Sequence, residues 1–274
     1  MRLVSFKVNG HHSWGTLDSE GISDLGARHV APSLCDHLIS GADTPRNVCV
    51  DYKLGDVELT VPVSGSRIFC IGFNYHAHRA EMNSKPADWP PIFIRSPQSV
   101  VASEAPLLRP SVSDNFDFEG ELACVIGKPG RHISKALALD HVFGYSIFND
   151  GSIRDFQTTS VTAGKNFDSS GAFGPWIVDV AEAPAWDKMT LVTRLNAEIV
   201  QQTTTDLLIF GVPDLIAYIS KITKLLPGDI VSTGTPSGIG WHREPPLWMK
   251  PGDNVEVEIS GIGVLANSVA AETA

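Results

Sequence analysis

The chain has few cysteines, no long apolar run and no cluster of basic residues, and each shortage removes a class of function. Four of its 274 residues are cysteine (Cys35, Cys49, Cys70 and Cys124). They are widely spaced and form no paired motif, which argues against a disulfide framework or a zinc knuckle and for reduced thiols. No apolar stretch approaches the ~20 residues that a membrane-spanning helix needs. Met1 to Lys7 has no apolar run behind its charge, so no secretory signal is expected. Positive charge is also in short supply: 21 Lys and Arg stand against 31 Asp and Glu, a formal net charge of −10. Such a chain repels phosphate backbones and anionic lipid heads, so neither nucleic acid nor a membrane surface is an expected partner. The expectation is a soluble, cytoplasmic protein.

Helical periodicity is sparse too. Its best instance is Val212 to Thr223, where Leu215, Ile216, Ile219 and Ile222 share one face and Pro213 sits in the first turn. Shorter helices are expected over Pro32–Ser40 and His76–Met82. What the chain does have is short alternating or apolar runs separated by many of its 24 glycines and 18 prolines. Arg2 to Val8 alternates and runs into Asn9-Gly10, a hairpin signal. Further strands are expected at Val57–Val61, Arg67–Ile71, Pro91–Ile94, Glu121–Ile126, Phe143–Phe148, Trp176–Val178, Leu191–Leu195, Asp229–Ser232 and Asn254–Ile259. The regular strand–helix alternation of a parallel α/β fold is missing, so the class is mainly β, of the α+β kind. A link at Pro62 to Ser66 divides a small N-terminal domain, 1–64, from a larger one, 65–274.

The richest stretch for chemistry is Asp117-Phe118-Glu119-Gly120-Glu121-Leu122. In extended chain Glu119 and Glu121 point to the same face, where two carboxylates repel unless a cation lies between them. Their hard oxygens suit Mg²⁺, Mn²⁺ or Ca²⁺ better than zinc. A solvated strand face carries the same pattern, and these residues alone do not choose. The run from Asn115 to Gly120 also copies half of a calcium-binding EF-hand loop, but Ile126 stands where that loop needs its closing acid. Asp150, in Asn149-Asp150-Gly151, reads by itself as turn chemistry. Arg154 follows it as a candidate fork for a substrate carboxylate, with Gln157 one turn on if the segment is helical.

His78 and Glu81 lie three apart, neighbours on one helical face. A carboxylate there fixes the imidazole tautomer and makes the pair a candidate general base, although a surface contact has the same spacing. His76-Ala77-His78 also suits the paired zinc histidines of an amidohydrolase barrel, but later metal-binding histidines and eight strand–helix units are missing. The late run Thr233-Gly234-Thr235-Pro236-Ser237-Gly238-Ile239-Gly240 is neither a Walker loop nor a dinucleotide fingerprint. Its glycines would let backbone amides and the Thr235 hydroxyl approach a bound anion. Lys165 reads as an exposed loop lysine or an anion ligand.

Taken in order, these blocks are specific. Gly72-x-Asn74-Tyr75-x-x-His78-x-x-Glu81 is followed by Asp117-x-Glu119-x-Glu121, by Asn149-Asp150-x-Ser152-x-Arg154-Asp155-x-Gln157, by Gly164-Lys165-x-Phe167-Asp168, and by Thr233-Gly234-Thr235-Pro236-x-Gly238-x-Gly240. From about Arg67 onward the chain resembles the fumarylacetoacetate hydrolase family. The resemblance implies a mixed β-roll catalytic domain behind a small N-terminal one, assembled as a homodimer. It places a divalent cation, Mg²⁺ or else Mn²⁺ or Ca²⁺, on Glu119, Glu121 and Asp150. It gives catalytic roles to His78, Glu81 and Lys165 and substrate contacts to Tyr75, Arg154, Gln157 and Thr235. The implied activity is hydrolytic carbon–carbon cleavage of a small 1,3-diketo acid of the acylpyruvate or fumarylpyruvate type. An enolate-forming decarboxylase, isomerase or hydratase on the same site is the alternative, and a non-catalytic ligand-binding protein a more distant one. The chain departs from the family pattern at Arg95, where lysine is frequent, at Asn196-Ala197 in place of Asn-Gly, and at Thr158–Ala163, which lacks an aromatic.

Overall fold

Asn9 and Gly10 both adopt left-handed backbone (φ 50° and 81°), and they fold Arg2–Val8 back on His11–Leu17 as an antiparallel hairpin. This is the start of an eleven-stranded mixed sheet in the computed structural model, which describes residues 1–46 and 48–273. Arg2–Val8 continues the sheet by pairing with Gly171–Asp179, Leu3 opposite Ile177. The N-terminal residues are thus hydrogen-bonded to the strands of the larger segment. A second sheet of five strands runs Glu198–Thr204, Thr190–Leu195, Asn254–Ile259, Gly263–Ala271 and Leu107–Arg109. Phe116–Asp117 and Ser152–Ile153 form a small third sheet. Strands dominate and helices are few, as the sequence implied. Among the described residues no helix is long and apolar enough to cross a membrane.

The central strand Gly120–Ile126 is buried along its whole length. Leu122, Cys124 and Ile126 face a core shared with the second sheet and the helix Val212–Ile222. Ala123 and Val125 face a separate core with Leu3, Trp14 and the helix Leu34–Ser40. Burial on both faces explains why the strand reads as an unbroken apolar run after Glu121. Most expected strands are present, several of them longer than anticipated. Strands with polar content, such as Glu198–Thr204 and Gly263–Ala271, carry no clear sequence signal, because their alternation is diluted by Thr, Ser, Gln and Gly.

Topology gathers the conspicuous residues at one sheet end. Ile68–Ile71 and Ile230–Ser232 run parallel, so both finish there. Gly120–Ile126 is antiparallel to Ile230–Ser232 and begins there, and Val142–Asn149 is antiparallel to Gly120–Ile126 and finishes there. Four segments separated in sequence therefore leave or enter the sheet side by side.

Candidate active site

Register brings the acids together. Gly120 lies opposite Asn149, so Glu119 and Glu121 flank the end of the strand that delivers Asp150. The Asp150 amide donates to the Glu119 carbonyl at 2.8 Å, and the Glu119 amide donates to Asn149 Oδ1 at 3.0 Å. All three side chains are buried, and one carboxylate oxygen from each lies within 4.8 Å of the others. A cation with bonds of about 2.1–2.5 Å would bridge that span with small adjustments. Hard oxygen donors, buried and converging, fit Mg²⁺, Mn²⁺ or Ca²⁺. Glu121 shows the strain of such a cluster: burial first, then the Asp150 and Glu119 charges, push its carboxyl well above the usual range. Its Oε2 accepts from Ser232 Oγ at 2.6 Å and from the Gly234 amide at 2.8 Å.

Counter-charges hold the other two acids. Lys165 Nζ donates to Glu119 Oε2 at 2.6 Å, to Asp150 Oδ2 at 2.7 Å and to the Asp150 carbonyl at 2.9 Å, using all three of its protons. Burial acts to raise the Glu119 carboxyl, but Lys165 and Arg154 outweigh it and hold the group below the ordinary range. Arg154 donates to Asp117 Oδ2 at 2.8 Å, Glu119 Oε1 at 2.6 Å and Gln157 Oε1 at 2.8 Å. Much of the fork read as a substrate anchor thus serves the protein's own carboxylates, which need cationic partners once buried. Two members of this network carried no role in the sequence reading. Asp117 is fully buried, and Arg95, also fully buried, donates to Asp150 Oδ1 at 2.7 Å while its other protons go to Ser99, Ser170 and Gly151. The sequence traces of Arg95's role were its place in an otherwise apolar strand, Ile92–Arg95, and its departure from a lysine frequent in the family that the chain resembles.

His78 is buried on the short helix His76–Glu81, and its Nδ1 lies 2.9 Å from Glu81 Oε2. The other Glu81 oxygen accepts from the Gly238 amide at 2.9 Å, so the carboxylate is fixed on both sides. The imidazole lies against Phe73, ring centres 5.9 Å apart at 24°. Phe73 has φ of 52°, a conformation that costs a bulky residue about 1–3 kcal/mol and that clusters at functional sites. Buried Arg79 holds it there by donating to the Phe73 carbonyl at 3.1 Å.

The glycine-rich loop differs from its expected use. The Gly234, Gly238 and Gly240 amides donate to Glu121, Glu81 and Asp117, not outward to an anion. Close approach explains the glycines: at φ of 99°, a Cβ on Gly238 would sit 2.4 Å from the Val200 carbonyl oxygen. The Thr235 hydroxyl likewise accepts from Gln201 at 2.8 Å and donates to the Gly120 carbonyl at 3.1 Å.

A cavity of about 150 Å³ opens beside the acids. His78, Glu119, Asp150, Arg154, Gln157, Lys165 and Thr235 line its polar end. Tyr75, expected to touch substrate, is not among the lining residues; it stands at the N-cap of the helix, buried, with no hydrogen bond to its hydroxyl. Three carboxylates, an oriented imidazole and a small pocket beside them can polarise a small oxygenated substrate and move a proton on it.

Known proteins resemble this chain in sequence and fold. The profile described as fumarylacetoacetate (FAA) hydrolase C-terminal matches residues 67–270. Oxaloacetate tautomerase YisK of Bacillus subtilis is 38% identical over 225 residues, covering 80% of this chain and 75% of that protein. A fumarylacetoacetate hydrolase from Exiguobacterium antarcticum superposes with a TM-score of 0.88 at 33% identity, covering 99% of this chain and 100% of that one. A 2-hydroxyhepta-2,4-diene-1,7-dioate isomerase from Mycobacterium marinum does so at 0.80 and 31%, covering 100% of both chains.

Proposed function

The chain belongs to the fumarylacetoacetate hydrolase family, a family of enzymes, and on that footing we propose that it hydrolyses a carbon–carbon bond in a small 1,3-diketo acid of the acylpyruvate or fumarylpyruvate type. The observation that carries the reading is the dyad: His78 held by Glu81, which is itself held by the Gly238 amide, beside three converging carboxylates. A ligand-binding protein has no need of a base oriented so fully.

Glu119, Glu121 and Asp150 would hold the divalent cation, which when bound supplies Lewis acidity toward the substrate's carboxylate and 2-oxo oxygens. Arg95, Arg154 and Lys165 keep Glu119 and Asp150 in place, and Ser232 and the Gly234 amide hold Glu121. With Nδ1 engaged by Glu81, the free Nε2 of His78 takes a proton from water. The water oxygen bonds to the distal carbonyl carbon, and the bond from that carbon to the methylene breaks. Its electron pair goes to the methylene carbon, which recovers the proton from His78. The products are the distal carboxylic acid and a 2-oxo acid with a terminal methyl group. Phe73 and the apolar walls exclude other water, and the Gln157 amide, whose oxygen is taken by Arg154, has its NH₂ left for substrate oxygens. In the same reading the protein is a cytoplasmic homodimer acting on a small oxo acid.

A second reading has specific support. Relatives include a tautomerase and an isomerase, whose chemistry needs the same proton-moving His78 without water attack. Turnover of acetylpyruvate with Mg²⁺ or Mn²⁺, followed as acetate release, separates the two. The hydrolase reading expects acetate, loss of activity on chelation, and a 10²–10⁴-fold fall in kcat in His78→Ala. Keto–enol exchange of the substrate without acetate would favour the tautomerase, and chelation-insensitive turnover would remove the metal role.

A further inference from the structure

Two costly features meet beside His78, and stability alone explains neither. Arg79 is buried on the helix that carries the dyad, yet among the described residues no acid pairs with its guanidinium. Its side-chain hydrogen bonds go to one acceptor, the Phe73 carbonyl, from Nε at 3.3 Å and from Nη2 at 3.1 Å. A buried charge without a counter-charge is expensive. The residue it grips is the one held in left-handed backbone, at φ of 52°. Such strain persists only where the surroundings impose it. A fold in need of stability alone would have an apolar side chain at position 79 and a glycine at position 73.

What the two residues supply together is an orientation. The hydrogen bond between His78 Nδ1 and Glu81 Oε2, at 2.9 Å, fixes one axis of the imidazole but leaves the ring free to turn about it. Phe73 removes that freedom, because its ring lies against the imidazole, 5.9 Å between centres and 24° between planes. Glu81 thus sets a direction and Phe73 sets a plane. Together they determine where Nε2 points in the cavity that His78 lines.

Resting on the proton-transfer role given to His78 above, we infer that Arg79 is a positioning residue for the reaction. It holds Phe73 in the left-handed conformation, and Phe73 in turn holds the plane of the imidazole. Arg79 is not among the residues that line the cavity, so its action on the chemistry runs through Phe73. Proton transfer needs hydrogen-bond geometry, and a misplacement of about 1 Å can cost about 10²-fold in rate.

A double-mutant cycle in kcat on acetylpyruvate with Mg²⁺ tests this. Arg79→Met removes the donors and should lower kcat by about 10–10²-fold with KM little changed. Phe73→Gly accepts the left-handed backbone unaided and lacks the ring, so it should lower kcat as well. In that background Arg79→Met should lower kcat no further. Arg79→Lys, a point charge in place of a fork, should recover part of the loss. Equal losses from Arg79→Met in both backgrounds overturn the inference, as does unchanged kcat in Arg79→Met alone. A second readout needs no turnover: the magnetic resonance signal of the His78 ring in protein carrying isotope-labelled histidine, which the Phe73 ring current displaces. It should move to the same position in Arg79→Met and in Phe73→Gly, and part of the way in Arg79→Lys, which carries the comparison should Arg79→Met not fold. If acetylpyruvate is not cleaved but these signals move together, the hydrolase reading fails and the positioning role stands. A His78 signal unmoved by substitution of Arg79 overturns it.

Discussion

Replacing Arg154 by methionine tests the idea that the site is a charge-compensated cluster before it is a binding site. The guanidinium is buried and donates to Asp117 at 2.8 Å and to Glu119 at 2.6 Å. Charge-assisted hydrogen bonds of this kind contribute about 1.5–3 kcal/mol each, so two of them give about 3–6 kcal/mol. Breaking a buried ion pair by removing one partner costs about 3–5 kcal/mol, an independent figure in the same range. The stranded acids keep some help: Asp117 retains the Phe118, Gly240 and Trp241 amides, and Glu119 retains Lys165. That places the expected loss at about 3–5 kcal/mol, a large part of the about 5–15 kcal/mol that holds an ordinary domain together. Urea unfolding with chelator present would read it as a lower midpoint at unchanged slope. Arg154→Lys, a point charge that can serve one acid at a time, should lose roughly half as much. Adding Asp117→Asn to Arg154→Met removes one stranded charge, and the pair should show a coupling of about 2 kcal/mol. A loss below about 1 kcal/mol in Arg154→Met would refute the account, since it would mean that the buried acids never depended on the guanidinium.

Two other regions give checkable outcomes. His37 is buried against Trp14, ring centres 4.7 Å apart, and burial lowers its pKa below the ordinary 6.5. A buried neutral imidazole favours the folded state above that value, and the contribution is lost as pH falls from about 6.5 through the depressed folded value. Trp14 fluorescence should therefore report an acid-side loss of stability that His37→Phe removes; an identical pH profile in the variant would contradict this. Ala197 sits at φ of 68° in the turn between Thr190–Leu195 and Glu198–Thr204, beside Asn196 at 52°. Left-handed backbone costs an alanine about 1–2 kcal/mol, so Ala197→Gly should raise unfolding free energy by about 1 kcal/mol after the added chain entropy of glycine. A lower Tm in Ala197→Gly would rule out strain at that turn.

Much of this protein was legible in its sequence. Strand content followed from short apolar runs punctuated by glycine and proline, and the long helix from a 3.6-residue apolar period. The ordered blocks around His78, Glu119, Asp150 and Gly234 identified the family, and the resemblance picked out Glu119, Glu121 and Asp150, which the fold brings together. These are local signals, carried by neighbours in the chain. The tertiary structure decided what is non-local. Only parallel pairing of Ile68–Ile71 with Ile230–Ser232, and antiparallel pairing of Gly120–Ile126 between Ile230–Ser232 and Val142–Asn149, puts those blocks at one sheet end. Burial then reassigned the charges: Arg154 and Lys165 face acids that would be intolerable without them, and the loop amides go to Glu81, Asp117 and Glu121. Which partner a buried charge takes depends on what the fold places within about 3 Å of it and on the absence of water there, and neither quantity is written in the order of residues.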